Sequence, residues 1–315
     1  MKILYHILSG ICYLLSLLPL WVLYRISDVL YLILYHLVGY RKEIVHKNLR
    51  QSFPDKTIEE LRDIEKRFYG FLCDYMVETV KLMTISNANL RKRMQFEGVA
   101  EMIQTMENEN KQFAFIYLGH YCNWEWISSL GIRIHEVSSN TICGQIYHPL
   151  SNKAFDRLML KIRSKGEGYN IPMKETLRYI INWKKSGQKV IIGFISDQAP
   201  KWSSTHHWCN FLHRKTPVFT GTEKIGKQVD ALIFFGDVRR IKRGHYTCRL
   251  SRLVKDIKQY PDFEVTDMYF RILEECINSQ PAYWLWTHNR WKRTYEEYLT
   301  LQQEKTEAAD TDGHQ

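Results

Sequence analysis

A chain of 315 residues is long enough to build one large domain, alone or with an appendage, around a sizeable core. Its 44 Lys and Arg against 34 Asp and Glu leave a formal charge of +10, which favours an acidic partner such as an anionic membrane surface or a phosphorylated substrate; the basic residues are dispersed and match no nucleic-acid-binding module, so no nucleic acid is expected. Seven cysteines (Cys12, Cys73, Cys122, Cys143, Cys209, Cys248 and Cys276) without a framework of short spacings suit a reducing compartment better than a disulfide scaffold.

The first forty residues are the compositional outlier. Ile3–Tyr24 holds one titratable side chain of note, His6, and is long enough to cross a bilayer core of ~30 Å at ~1.5 Å per residue. Apolar character resumes in Val29–Val38 and no small-residue cleavage site follows, so a retained anchor is expected over residues 1–40, not a removable signal peptide. Pro19 is placed to kink it. Either Ile3–Tyr24 spans the membrane with Val29–Val38 at the interface, or both lie as a hairpin on one leaflet; a wholly soluble helix pair is the alternative. The many tyrosines, from Tyr5 to Tyr40, suit an interface.

From Lys56 to Leu90 the pattern is helical. Asp55 or Thr57 can cap it, and Leu61, Ile64, Phe68, Phe71, Leu72 and Tyr75 recur at steps of three and four. A shorter amphipathic helix, Val99–Met106, leads to the central stretch FAFIYLGHYCNWEW, Phe113–Trp126. There Phe113–Leu118 reads as a buried strand that stops at Gly119. On one continuous helix, His120 and Glu125 would point about 140° apart. They can cooperate if His120 sits in the turn and Glu125 in the first turn of the following helix, for which Asn123 is a natural N-cap. Such a pair can act as a general base and its orienter, although a capped helix with a surface glutamate gives the same spacing.

Beyond it strand and helix alternate: strand Thr141–Tyr147, helix Asn152–Ser164, helix Lys174–Lys184, strand Val190–Ser196, helix Thr220–Val229, strand Ala231–Val238, an exposed or edge strand Tyr246–Leu253, and helix Val265–Asn278. This predicts an α/β fold with a central mixed sheet covered by helices on both faces, over residues 41–300. In such sheets sites lie outside the carboxyl ends of the strands, where both His120 and Asp197 fall. The polar end, residues 301–315, is expected to be a disordered tail.

His120, Glu125, the stretch YHPLSNKAFDRLMLKIR at Tyr147–Arg163 and SDQAP at Ser196–Pro200 together resemble the late acyltransferases of bacterial lipid A biosynthesis, within the His-x4-Asp/Glu glycerolipid acyltransferases. The resemblance runs from the apolar N-terminus to about Lys292. It implies a membrane-bound enzyme at the bacterial inner membrane, with its site on the cytoplasmic side. The donor is an acyl-carrier protein thioester or acyl-CoA, and the acceptor a phosphorylated glycolipid. Another lipid, such as a lysophospholipid or an amino-acid lipid, is the alternative acceptor, and a non-enzymatic membrane- or nucleic-acid-binding protein the alternative class.

Acyl transfer needs a base, an orienter and an oxyanion stabiliser. His120 is the expected base and Glu125 its orienter. Arg157, in AFDRL, matches an arginine important in the family and, with a backbone N–H near Gly119 or Tyr121, is a candidate for the oxyanion. Arg163 suits a substrate phosphate. Asp197–Gln198 matches the family's Asp-Gln, with Asp197 expected to hold Arg157 or to position the substrate hydroxyl. The following APKWSSTHHWCNFLHRKTP departs from the family pattern and leaves the acceptor open. It invites a zinc reading through His206, His207, Cys209 and His213, but the spacing fits no common zinc module, so no metal and no cofactor are expected. Trp202 and Trp208 could dip into a membrane interface, and His288 and Arg290, in PAYWLWTHNRWK, could lie near a headgroup.

Overall fold

Proline 19 divides the apolar N-terminus. The computed structural model, which describes residues 2–312, has helix α1 over Lys2–Leu17 and helix α2 over Leu20–Tyr31, the latter continuing as a π-helical stretch through Val38. Proline lacks an N–H and its ring disfavours the helical region in the residue before it, so the chain turns at Leu18–Pro19. This corrects the expectation of one spanning segment over Ile3–Tyr24: among the described residues the helix long and apolar enough to cross a membrane is Leu20–Val38, and Ile3–Leu17 is shorter. Next come α3 (Lys42–Ser52), α4 (Ile58–Lys81) and α5 (Asn87–Arg93).

Helix α4 is the scaffold on which the N-terminal helices rest. Thr57 and Glu60 form a reciprocal capping box at its start, and Leu61, Ile64, Phe68, Phe71 and Leu72 are buried along one face. Lys81 donates to the carbonyls of Ser16 (2.8 Å) and Leu18 (2.9 Å), which satisfies acceptors left open where α1 ends. Asp74 accepts from Ser27 of α2 at 2.7 Å, and Arg243 bridges Asp28 and Asp74. The outward faces stay bare: Ile3, Trp21 and Leu37 are 76%, 70% and 80% exposed, well beyond the scatter of single apolar residues on a soluble surface.

The remaining elements in order are β1 (Met94–Glu97), α6 (Val99–Asn108), β2 (Phe113–Leu118), α7 (Leu130–Val137), β3 (Ile142–Tyr147), α8 (Lys153–Arg163), β4 (Tyr169–Pro172), α9 (Thr176–Ser186), β5 (Val190–Ile195), β6 (His207–Phe211), β7 (Arg214–Val218), α10 (Gly221–Val229), β8 (Leu232–Lys242), β9 (His245–Val254), α11 (Glu264–Ser279) and α12 (Tyr295–Asp312). Seven strands form one mixed sheet in the order β1-β9-β8-β2-β5-β3-β4, flanked by helices. Strand β2 lies parallel to both β5 and β8, and β3 is parallel to β5 and β4. Only β9, antiparallel to β8, and β1, parallel to β9, run the other way. Every residue of β2 is buried, as its unbroken apolar run requires of a central parallel strand.

Two local readings are revised. The strand expected at an edge, β9, is penultimate, because the four-residue β1 covers it. The HHWCNFLHRKTP stretch, to which the sequence reading assigned no element, is a β6–β7 hairpin. Its turn uses Leu212 (φ 50°) and His213 (φ 63°), left-handed positions usually taken by Asn and Gly, so no turn signal is written there. Burial of the Leu212 side chain and its N–H bond to Glu274 at 2.9 Å offset the backbone cost. Helix α12 runs to Asp312, and residues 313–315 lie outside the described residues. Tyr295 and Tyr298 begin that helix by packing on Trp208, and Tyr298 stacks on Trp202. Those two tryptophans therefore face α12.

Candidate active site

Strands β2 and β5 are parallel neighbours, and their register pairs Leu118 with Ile195. Two residues beyond each partner stand His120 and Asp197, so the sheet itself brings them side by side. The imidazole Nδ1 lies 2.6 Å from Asp197 Oδ1, and the backbone N–H of His120 donates to Oδ2 at 2.9 Å. Trp284 Nε1 donates to the same Oδ2 at 2.7 Å. The segment that carries Trp284 is held against the turn, with Leu285 N–H on His120 O and Cys122 N–H on Tyr283 O. Asp197 is 1% exposed. Burial opposes its ionisation, yet the imidazole beside it and the bonds from His120 and Trp284 keep the carboxyl below its ordinary value. With Nδ1 on the carboxylate, the free base nitrogen is Nε2, which lies 3.2 Å from the Gln198 amide.

Glu125 forms no hydrogen bond to His120 among the described residues. Asn123 accepts the Trp126 N–H at 3.0 Å, but the N-cap position of the 3-10 turn Trp126–Ser129 falls on Glu125 itself, just ahead of that turn, and Cys122 is left-handed. The Glu125 carboxylate meets α8 instead, where Arg163 donates to it twice, Nε at 2.8 Å and Nη2 at 2.6 Å, and the Tyr75 hydroxyl lies 3.3 Å away. Burial works against the Arg163 charge, but this forked pairing raises its pKa above the ordinary value. Arg157 is not brought to Asp197 either. Six residues along a helix is about 600°, so Arg157 and Arg163 point roughly 120° apart. Arg157 is exposed and lies over the Tyr5 ring of α1, 4.5 Å from its centre.

His120 opens on a cavity of about 770 Å³. Trp124, Glu125, Arg163, Gln198 and His288 share its polar part, while Leu118, Ile127, Ile191 and Ile195 supply apolar wall. Gly144 and Gly193, on the adjacent strands β3 and β5, contribute no side chain to that wall. Lys174, Lys201, Lys292 and Arg293 also border it. A base, an apolar trough and several cations in one cleft suit an amphiphile that carries an acidic group. A family model described as "Bacterial lipid A biosynthesis acyltransferase" matches residues 2–293.

The chain belongs to the bacterial lipid A biosynthesis acyltransferases.

No curated protein matches it. As a member of that acyltransferase family it brings four of the six residues singled out in the sequence, His120, Glu125, Arg163 and Gln198, to one cavity, with Asp197 directly behind His120. Trp284 and Tyr75 were missed as site residues, because an indole or phenol signals nothing in sequence until a buried carboxylate is placed against it. Glu78 was missed too. It accepts from Asn123 at 2.6 Å and Tyr246 at 2.8 Å, bracing the turn from α4. Among the described residues no group of three or more His, Cys, Asp and Glu side chains comes together as a metal site; His207 bonds Asp267 at 2.8 Å.

Proposed function

We propose that this acyltransferase is membrane-bound and moves a fatty acyl chain from an acyl-carrier protein thioester to a hydroxyl of a phosphorylated glycolipid, as in late acylation of lipid A. The observation that carries this reading is the His120–Asp197 pair opening on a large, partly apolar cavity. Nε2 of His120 takes the proton of the acceptor hydroxyl as its oxygen attacks the thioester carbon. The tetrahedral intermediate then collapses, the C–S bond breaks, and the imidazolium returns the proton to the departing sulfur. Asp197 holds the Nδ1–H tautomer and stabilises the imidazolium. The Glu125–Arg163 pair shapes the cavity wall beside the acceptor. The bare apolar faces of α1 and α2 support anchoring in the inner membrane, with the site on the side where acyl-carrier thioesters and free thiols occur.

The test is single-turnover transfer from a labelled acyl-carrier thioester to a purified lipid A precursor in detergent. Wild type should acylate the precursor and His120→Ala should lose about 10²–10⁴-fold. Wild-type protein that leaves the precursor unmodified, or His120→Ala at the wild-type rate, would sink the proposal.

A further inference from the structure

We propose that His288 is the N–H donor that holds the oxyanion of the tetrahedral intermediate. The inference rests on the acyl-transfer reading above. Its ground is a second imidazole that faces the same cavity as His120. The ring forms no side-chain hydrogen bond among the described residues, while its backbone is clamped from several directions. His288 N–H donates to Leu285 O at 3.1 Å, and His288 O accepts from Arg290 N–H at 2.8 Å and from Asn48 Nδ2 at 3.1 Å. Arg41 holds the preceding carbonyl, Thr287 O, at 3.0 Å. The same short segment supplies Trp284 to Asp197 and Leu285 to His120. The two imidazoles are thus fixed relative to one another by one rigid strap, which is the condition for a preorganised donor.

Of the donors expected from the sequence, Arg157 lies over Tyr5, and the backbone N–H groups on either side of Tyr121 are taken, that of His120 by Asp197 and that of Cys122 by Tyr283 O. His288 also has the right charge state. Burial first, then His120 and Arg290, push its pKa down to about 4, so at neutral pH it is an uncharged ring with one N–H. When His120 becomes cationic during attack, a second cation beside it is disfavoured further, so His288 stays a hydrogen-bond donor and gives up no proton. The hydroxyl proton goes to His120, the carbonyl π pair goes to the oxygen that His288 binds, and collapse expels the thiolate, which takes the proton from His120. Neutral imidazole is known to serve as such an electrophile. A headgroup phosphate would call for a cation, and Lys174, Lys201, Lys292 and Arg293 border the cavity for that purpose.

The experiment compares wild type, His120→Ala, His288→Phe and His288→Gln in acyl transfer over a range of lipid A precursor concentrations up to saturation, with thermal melts of each. Phenylalanine keeps the ring without a donor; glutamine restores an N–H. His288→Phe should lose about 10²–10³-fold in kcat with little change in acceptor KM, and His288→Gln should recover at least about tenfold of that. An active wild type with His288→Phe at full kcat, or a loss confined to KM, or folded Gln and Phe variants equally slow, overturns this inference and leaves the acyl-transfer reading standing. A wild type that transfers to no precursor removes both.

Discussion

Trp284 Nε1 lies 2.7 Å from Asp197 Oδ2, so the carboxylate that faces His120 is fixed by an indole 87 positions further along the chain. With the His120 backbone N–H on the same oxygen, Oδ2 is fully engaged and Oδ1 is left to the imidazole. Asp197→Asn should therefore cut kcat by about 10²–10⁴-fold with a smaller change in KM, since an amide that presents its NH₂ to Nδ1 selects the wrong tautomer. The loss should not add to that of His120→Ala, because the two act as one unit. Kinetics of the double variant check this; additive losses would mean that Asp197 works apart from His120.

Glu125 and Arg163 make different demands. Removing the carboxylate leaves a guanidinium in a largely buried position, so Glu125→Ala should destabilise by about 3–5 kcal/mol, whereas the paired change Glu125→Leu with Arg163→Met should recover most of that loss. Denaturant unfolding measures both. A Glu125→Ala protein that unfolds like wild type yet fails to transfer would return the carboxylate to the chemistry.

Glu78 should make stability fall as pH rises. Burial pushes its carboxyl from an ordinary 4.5 up to about 7, against hydrogen bonds from Tyr246, Tyr24 and Asn123. Below about pH 4.5 both folded and unfolded chains are protonated and nothing is lost. Between those values the unfolded chain releases a proton that the folded one keeps, so stability drops by roughly 3 kcal/mol in all and then levels off. Glu78→Gln does not titrate and should flatten this part of the profile. Equal slopes for both proteins between about pH 5 and pH 7.5 would show that the carboxyl titrates normally.

The N-terminal helices tie two properties together. Full-length protein should fractionate with membranes and need detergent, and removal of residues 1–40 should weaken that association. The same deletion strips Ser27 and Asp28 from the Asp74–Arg243 cluster and uncovers α4, so the melting temperature should fall as well. Gly244→Ala offers a gentler probe: the glycine is left-handed (φ +69°), and an added Cβ would collide with the Tyr24 hydroxyl of α2. It should lower stability while leaving the dyad geometry intact. A full-length protein that is soluble without detergent would remove the anchor.

Much of this molecule is written locally. Phe113–Leu118 and Val190–Ile195 are unbroken apolar runs because central parallel strands are buried on both faces, and such runs are legible without partners. The start of α4 is equally local, since Thr57 and Glu60 need only each other. By the same logic the sequence determined that His120 and Asp197 each follow a strand. Tertiary structure alone decided that these strands are neighbours in register, which makes Asp197 the partner of His120 and frees Glu125 for Arg163 on α8. Strand order and register are set by long-range packing of the whole sheet, and no local spacing encodes them. The same holds for Leu212 and His213, whose left-handed turn is held by burial and Glu274, and for Trp284, whose N–H matters only because the fold sets a buried carboxylate in front of it.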